Sequence, residues 1–148
     1  KENWPPFWNS LILMFQKEVA ERIVAKPNSK SFGRLSVISQ WRTDARLVFT
    51  VPASAFTPAP KVESAIVQFT PLHTPLYASD QKNLEKLTRI AFGKRRKMLR
   101  QSLKLLNPNI ERILSNICIN PELRPEQLSV RQFCLIAEEL KNELTSYF

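Results

Sequence analysis

Leu11-Ile12-Leu13-Met14-Phe15 is an unbroken apolar run of strand length that stops at Gln16, which predicts a strand buried on both faces of a sheet. From Lys17 to Ala25 the period lengthens: Val19, Ala20, Ile23 and Val24 share one side while Lys17, Glu18, Glu21 and Arg22 share the other, predicting an amphipathic helix that ends at Pro27-Asn28-Ser29. Leu35, Ile38 and Trp41 stand at helical spacing between Arg34 and Trp41, so a second short helix is expected there. Leu47–Val51 and Ser64–Phe69 are rich in β-branched and aromatic residues and predict two strands joined by a Pro-containing connection.

Beyond Phe69 the pattern changes. The Pro, His, Thr and Ser of residues 71–79 read as a linker, and every apolar stripe after it is helical. Leu84, Leu87, Ile90 and Ala91 form one stripe, Leu99, Leu103 and Leu106 a second, and Ile110, Ile113, Leu114 and Ile117 a third. In the last helix Phe133, Ile136, Ala137, Leu140 and Leu144 lie behind Ser129 and Gln132, which have capping-box spacing. Periodicity therefore predicts a mixed α/β part over residues 1–73 and an all-α part over residues 74–148.

Composition narrows the chemistry. The chain has 148 residues and a formal charge of +9, with only two Gly against eleven Pro, so a glycine-rich phosphate cradle has nothing to be built from. Cys118, Cys134 and His73 are too few for a structural zinc site, and no metal is expected; both thiols are expected to be reduced and buried. No apolar run approaches the ~20 residues of a membrane span and no signal pattern opens the chain, so a cytoplasmic monomer is expected. The first residue is Lys1, and Trp4, Phe7 and Trp8 after it read as packing residues in a loop that enters a strand, so the sequence is expected to be a piece of a longer polypeptide.

The positive charge is concentrated. Arg89, Lys94, Arg95, Arg96, Lys97, Arg100 and Lys104 occur with no acidic residue among them. Arg96, Arg100 and Lys104 recur at i, i+4 and i+8, which predicts a basic helix face beside the Leu99, Leu103 and Leu106 stripe. Such a face is a solvated surface or the footprint of a polyanion; the absence of acids within it favours RNA contact by Lys94, Arg95, Arg96, Lys97, Arg100 and Lys104. Lys26, Lys30 and Arg34 flank the loop after the first helix and are weaker candidates for the same surface.

Between the second and third predicted strands lies Phe56-Thr57-Pro58-Ala59-Pro60-Lys61-Val62-Glu63-Ser64-Ala65. Pro58 and Pro60 fix φ twice and remove two donors, so the loop is expected to be stiff. Phe56 then reads either as a core residue over the sheet edge or as a platform for an unstacked base beside the cationic helix.

This string resembles a signature of the ribosomal RNA adenine N6-dimethyltransferases, where it follows the next-to-last strand of the methyltransferase sheet. Phe15–Arg22, Gly33–Val37 and Ala91–Lys97 resemble, in order, that family's Gln-Lys-Glu-Val, Gly-Arg-Leu-Ser-Val and Ala-Phe-x-x-Arg-Arg-Lys stretches. The resemblance implies the C-terminal part of a class I (Rossmann-like) methyltransferase sheet with an antiparallel last strand, then a small helical RNA-binding domain. It further implies methyl transfer from S-adenosylmethionine to N6 of two adjacent adenines in small-subunit ribosomal RNA, with Phe56 stacking on the target adenine. The family's donor loop, acidic ribose ligand and Asn-Leu-Pro-Tyr motif are not among these residues, so catalytic and cofactor-binding residues are expected only upstream of Lys1 and no donor binding is expected here. A non-catalytic ribosome-assembly module and a large-subunit adenine methyltransferase conferring drug resistance are the alternatives.

Overall fold

A computed structural model of the chain describes residues 4–74 and 77–145, with side chains described through residue 142. Its elements run β1 (Leu11–Gln16), α1 (Lys17–Val24), α2 (Arg34–Arg42), β2 (Thr43–Val51), β3 (Ser64–Pro71), α3 (Gln81–Gly93), α4 (Leu99–Ser102), α5 (Ile110–Asn116) and α6 (Val130–Thr145). The three strands form one sheet in the order β1-β3-β2, and β3 runs antiparallel to both neighbours. Lys1, ahead of which the catalytic and donor-binding motifs are expected, lies outside the described residues. So do the Leu144 side chain, expected on the apolar face of α6, and Pro75 and Leu76 of the expected linker.

The side of the sheet facing α1 is packed. Ala20 and Ile23 of α1 are buried against Ala45, Ala65 and Val67, with Phe15, Val19, Val24, Leu47 and Phe69 partly buried around them. Phe15 and Phe69 meet edge-on at 6.2 Å. The expectation that β1 is covered on both faces is corrected: Ile12 is 63% exposed, Met14 53% and Leu13 40%. The reason is geometric: Ile12 and Met14 point away from α1 to a side that nothing among the described residues covers, while Leu13, on the α1 side with Phe15, belongs to a strand at the edge of the sheet.

Why α2 forms where it does is explained by what it does for α1. The last carbonyls of a helix lack internal partners, and those of α1 are taken up by α2: Ser36 Oγ donates to the Arg22 carbonyl. Gln40 Nε2 donates to the carbonyls of Ile23 at 2.9 Å and Ala25 at 2.8 Å. Gly33 N donates to Ser36 Oγ at 3.0 Å, so the buried Ser36 hydroxyl is satisfied twice. The buried face of α2 is Val37 and Trp41, and Leu35, expected to be buried, is 41% exposed.

The larger core belongs to the helices. Leu84, Leu87 and Ala91 of α3, Leu99 and Leu103, Ile110, Ile113 and Leu114 of α5, and Phe133, Ile136 and Ala137 of α6 form one buried cluster, which also takes in Phe32, Val37 and Trp41. An aromatic series runs through it, from Phe32 to Phe92 at 6.0 Å and from Phe92 to Phe133 at 5.4 Å. Trp41 Nε1 donates to the Tyr77 carbonyl at 2.9 Å, and Arg131 lies over the Tyr77 ring.

The ends of these helices follow from their sequence. Asp80 caps α3 by accepting from Asn83 N at 3.0 Å. Ser129 and Gln132 make the expected box, Gln132 N donating to Ser129 Oγ at 3.2 Å and Ser129 N to Gln132 Oε1 at 2.9 Å. Past α5, Cys118 takes a left-handed φ of 57°. There Cys118 N donates to the Ser115 carbonyl and Ile119 N to the Leu114 carbonyl, a helix-ending pattern closed by the buried Leu114 and Ile119. The turn leaves Cys118 exposed, which corrects the expectation of two buried thiols. Burial, then the charge of Glu138, pushes the Cys134 thiol up to about 12. Among the described residues no helix is long and apolar enough to cross a membrane.

Ser129→Ala should lower stability by about 1 kcal/mol and Phe133→Ala by about 3–5 kcal/mol in urea unfolding. In the native protein a thiol-specific reagent should label Cys118 and spare Cys134, with both labelled after denaturation; rapid native labelling of Cys134 would contradict its burial.

Candidate nucleic-acid interface

The basic segment does not form a continuous helix face. α3 ends at Gly93, residues 94–98 form a turn with Lys97 N donating to the Lys94 carbonyl at 2.8 Å, and α4 begins only at Leu99. α4 is one turn long and tightens into a 3-10 turn over Leu103–Leu105. The expected i, i+4, i+8 alignment of Arg96, Arg100 and Lys104 is therefore corrected. Packing overrides periodicity here: Leu99 N and Arg100 N donate to the carbonyls of Leu123 (2.8 Å) and Pro121 (3.0 Å), which fixes the start of α4 against a distant loop.

That loop also supplies acids that the local sequence lacks. Arg95 Nε meets Glu126 Oε2 at 2.7 Å, and Arg95 Nη2 donates to the Ser29 carbonyl at 3.1 Å. Asn28 N donates to the Glu126 carbonyl at 2.8 Å, so the turn, the loop after α1 and the Pro121–Gln127 region are tied together through one guanidinium. Arg95 is a structural tie here. Arg100 lies 3.9 Å from Glu122, a looser pair. Lys94, Arg96, Lys97 and Lys104 are exposed, and among the described residues none of them is held in an ion pair.

Lys94, Arg95, Arg96 and Lys97, with Phe92, Gly93 and Gln101, line an open cavity of about 640 Å³. The structure thus brings the 94–97 cations together and sets Lys104 apart from this lining. Lys26 and Lys30 are exposed on the loop that Arg95 holds, which places them on the same side as the turn. Arg34 is instead grouped with Lys82, Lys86 and Arg89 of α3, three cations at helical spacing of which Lys82 and Lys86 lie outside the basic 89–104 segment.

Phe56 belongs to neither buried cluster and is partly exposed, with Thr57, Pro58, Ala59, Pro60 and Lys61 exposed beside it. The loop is anchored at both ends. Phe56 N donates to the Ala53 carbonyl at 3.2 Å, Lys17 N to the Glu63 carbonyl at 2.9 Å, and Lys17 Nζ meets Glu63 Oε2 at 2.7 Å. That hydrogen bond, then the charge of Glu63, raises the Lys17 ammonium above its ordinary value. The cavity at this end is lined by Gln16, Lys17, Glu18, Glu21, Val62 and Glu63, so carboxylates outnumber cations. The Glu63 end of the aromatic loop abuts the first residues of α1, whereas Arg95 grips the loop after the last, and α1 itself is 8 residues, about 12 Å, long.

Trp4 Nε1 donates to the Leu72 carbonyl at 2.6 Å, Trp4 meets Trp8 edge-on at 6.4 Å, and Arg42 lies over both Trp4 and Trp41. Phe7 is fully exposed. These residues organise the approach to β1 and hold no ligand chemistry. Nor do the described residues fit a methyl donor: Gly33 opens α2 and Gly93 ends α3, so no glycine among them follows a strand to form a nucleotide-binding turn.

A family model described as ribosomal RNA adenine dimethylase matches residues 5–142. A ribosomal RNA small subunit methyltransferase A of Cereibacter sphaeroides is 55% identical over 138 residues, covering 93% of this chain and 50% of that protein. The protein of the same name from Rhizobium johnstonii is 57% identical over 137 residues, covering 93% of this chain and 49% of its own length. The chain thus spans about half the length of the curated relatives it matches. Among solved structures, a dimethyladenosine transferase from Plasmodium falciparum superposes with a TM-score of 0.78 at 25% identity, over 96% of this chain and 59% of that one. The 23S rRNA methyltransferase ErmE superposes with a TM-score of 0.59 at 21% identity, over 93% of this chain and 57% of its own, a likeness of fold.

Arg95→Gln should lower stability by about 1.5–3 kcal/mol, since it unmakes charge-assisted bonds to Glu126 and Ser29. Arg96→Gln should leave the unfolding midpoint in place and weaken RNA binding. If the two variants behaved alike in both assays, the division between tie and contact would be wrong.

Proposed function

Since this chain belongs to the ribosomal RNA adenine dimethylase family, we propose that it is the RNA- and adenine-handling half of an enzyme that dimethylates N6 of two adjacent adenines in small-subunit ribosomal RNA. The observation that carries this is the match over residues 5–142 at about 55% identity to proteins named for the small subunit. That identity also favours the small-subunit reading over the large-subunit one, because the likeness to ErmE extends to fold alone. S-adenosylmethionine is the proposed methyl donor of the whole protein, held by parts of it outside this chain, which spans about half the length of its relatives. Residues 1–73 are assigned to the methyltransferase domain, as the end of a class I sheet, and residues 74–148 to an RNA-binding domain. The exposed face carrying Ile12 and Met14 is where the rest of the methyltransferase layer would pack. A cytoplasmic location follows from the proposed substrate.

Within this reading Phe56 stacks on an extruded adenine while Pro58 and Pro60 keep its loop from collapsing onto the sheet. Its partial exposure, its place outside both cores and its anchoring through Glu63 to Lys17 support the role. Lys94, Arg96 and Lys97 hold phosphates, with Lys26 and Lys30 adding charge on the same side and Lys104 adding an exposed charge outside that cavity; Arg95 and Arg100 contribute mainly through their acidic partners. The Glu63 end of the ring's loop and the loop gripped by Arg95 lie at opposite ends of α1, so one RNA would have to bridge that helix to meet both.

Phe56→Ala should reduce affinity for an RNA with unpaired adenines by about 1–3 kcal/mol while leaving thermal unfolding unchanged, and Phe56→Trp should restore it. If three or four lysines and arginines neutralise phosphates, log K should fall with log salt at a slope of roughly −3 to −4. Calorimetry should detect no S-adenosylmethionine binding by this chain; measurable donor binding would overturn the assignment of that site to other residues.

A further inference from the structure

Most cations on this molecule that approach a carboxylate are neutralised by it. Lys17 pairs with Glu63, Arg22 with Glu18, Arg46 with Asp44, Arg95 with Glu126 and Arg100 with Glu122. Besides Lys94, Arg96, Lys97 and Lys104, a line of cations on α3 escapes this among the described residues. Lys82, Lys86 and Arg89 stand on α3 at spacings of four and three, all exposed, and the same line ends at Gly93, which lines the cavity of the Lys94–Lys97 turn. Arg34, exposed in the first turn of α2, joins them around an open cavity of about 260 Å³. Glu85 is the only carboxylate in that lining, and it accepts from Gln81 Nε2 at 3.0 Å. Among the described residues none of the four cations is held in an ion pair.

We propose that Arg34, Lys82, Lys86 and Arg89 form a second phosphate-binding surface, along which an RNA strand held at the Lys94–Lys97 turn continues over α3 to the start of α2. The inference rests on the reading of this chain as an RNA binder, extends it to Lys82, Lys86 and Arg89, and moves Arg34 from the surface of the 94–97 turn to theirs. The shape fits a chain of phosphates: from Lys82 to Gly93 the line is about 16 Å long, the rise of roughly five nucleotides of a helical strand. Arg34 faces the α3 cations across one open cavity, and the α3 line then runs on towards the Lys94–Lys97 turn, so the arrangement suits a chain of phosphates that extends beyond a single anion. An anionic membrane is disfavoured because no exposed large apolar side chain stands on α3 beside Lys82, Lys86 and Arg89, and Leu35 next to Arg34 is a single exposed apolar residue rather than an apolar face that could enter the acyl region. The surface also joins two layers of the fold, since Arg34 comes from α2 and the rest from α3.

The test compares variants of the intact chain binding an RNA stem-loop, with phosphatidylserine vesicles as a second probe. Lys82→Gln/Lys86→Gln/Arg89→Gln should lower RNA affinity about tenfold or more and make the salt slope shallower by about two to three, and Arg34→Gln should act in the same direction. Glu85→Gln removes the one repulsive charge, so it should raise affinity about two- to threefold with an unchanged unfolding midpoint, an outcome a merely structural role would not give. If the triple variant binds RNA within twofold of the parent while Lys94→Gln/Arg96→Gln/Lys97→Gln loses binding, this second surface is wrong and the RNA reading stands. If neither set alters RNA affinity, the RNA reading itself fails. Vesicle binding that competes with RNA and depends on the same three residues would overturn the assignment to nucleic acid.

Discussion

The molecule hangs on α2, which belongs to two bodies at once. Its polar edge, Ser36 and Gln40, closes the carbonyl end of α1, while Val37 and Trp41 on its apolar side are buried in the helical core together with Phe32 just ahead of it. Each of those large side chains contributes on the order of 1.5–3 kcal/mol by leaving water, and none could be withdrawn without opening the cluster it shares with α3 and α6. The sheet layer and the helical layer are therefore held in a fixed relation by one nine-residue helix. Arg34 at one end of it and Thr43 at the other inherit their positions from that packing.

The order of elements is legible in the sequence because hydrophobic period and capping chemistry are local. The 3.6-residue stripes of α1, α3 and α6, the box at Ser129 and the strand pair flanking the Pro-rich loop all report forces acting within a few residues. Legibility fails where a distant segment decides the outcome. Nothing near Arg96 announces that the 121–123 carbonyls will fix the start of α4 at Leu99, or that Glu122 and Glu126 will reach Arg100 and Arg95. The apolar run of β1 correctly signals two apolar faces, but whether each is covered depends on what packs there. Cys118 has the composition of a buried residue, whereas its backbone turns outward to end α5.

For the candidate site the lesson concerns sign and sidedness of charge. Counted along the chain, residues 89–104 are purely cationic; in space part of that charge is taken up by internal ties, and the cationic line is lengthened by Lys82, Lys86 and Arg34. Helical spacing at 82, 86 and 89 is present in the sequence and suffices to reveal this line, whereas the pairing of Arg95 has no local signal. Phe56 is legible only as one of two options, and the docking of the Glu63 end of its loop against the largely acidic start of α1 is not legible at all.

The tie made by Arg95 has a consequence for kinetics. Ordinarily a loop that grips a polyanion must surrender backbone freedom when it does so, at roughly 1–2 kcal/mol per residue. Here one guanidinium has already lashed the turn to the Ser29 carbonyl and to Glu126, so its neighbours Lys94, Arg96 and Lys97 project from a scaffold immobilised before any partner arrives. Capture then forfeits only side-chain rotation. Such a surface is already in its binding shape, so a polyanion meets it without waiting for a loop to order.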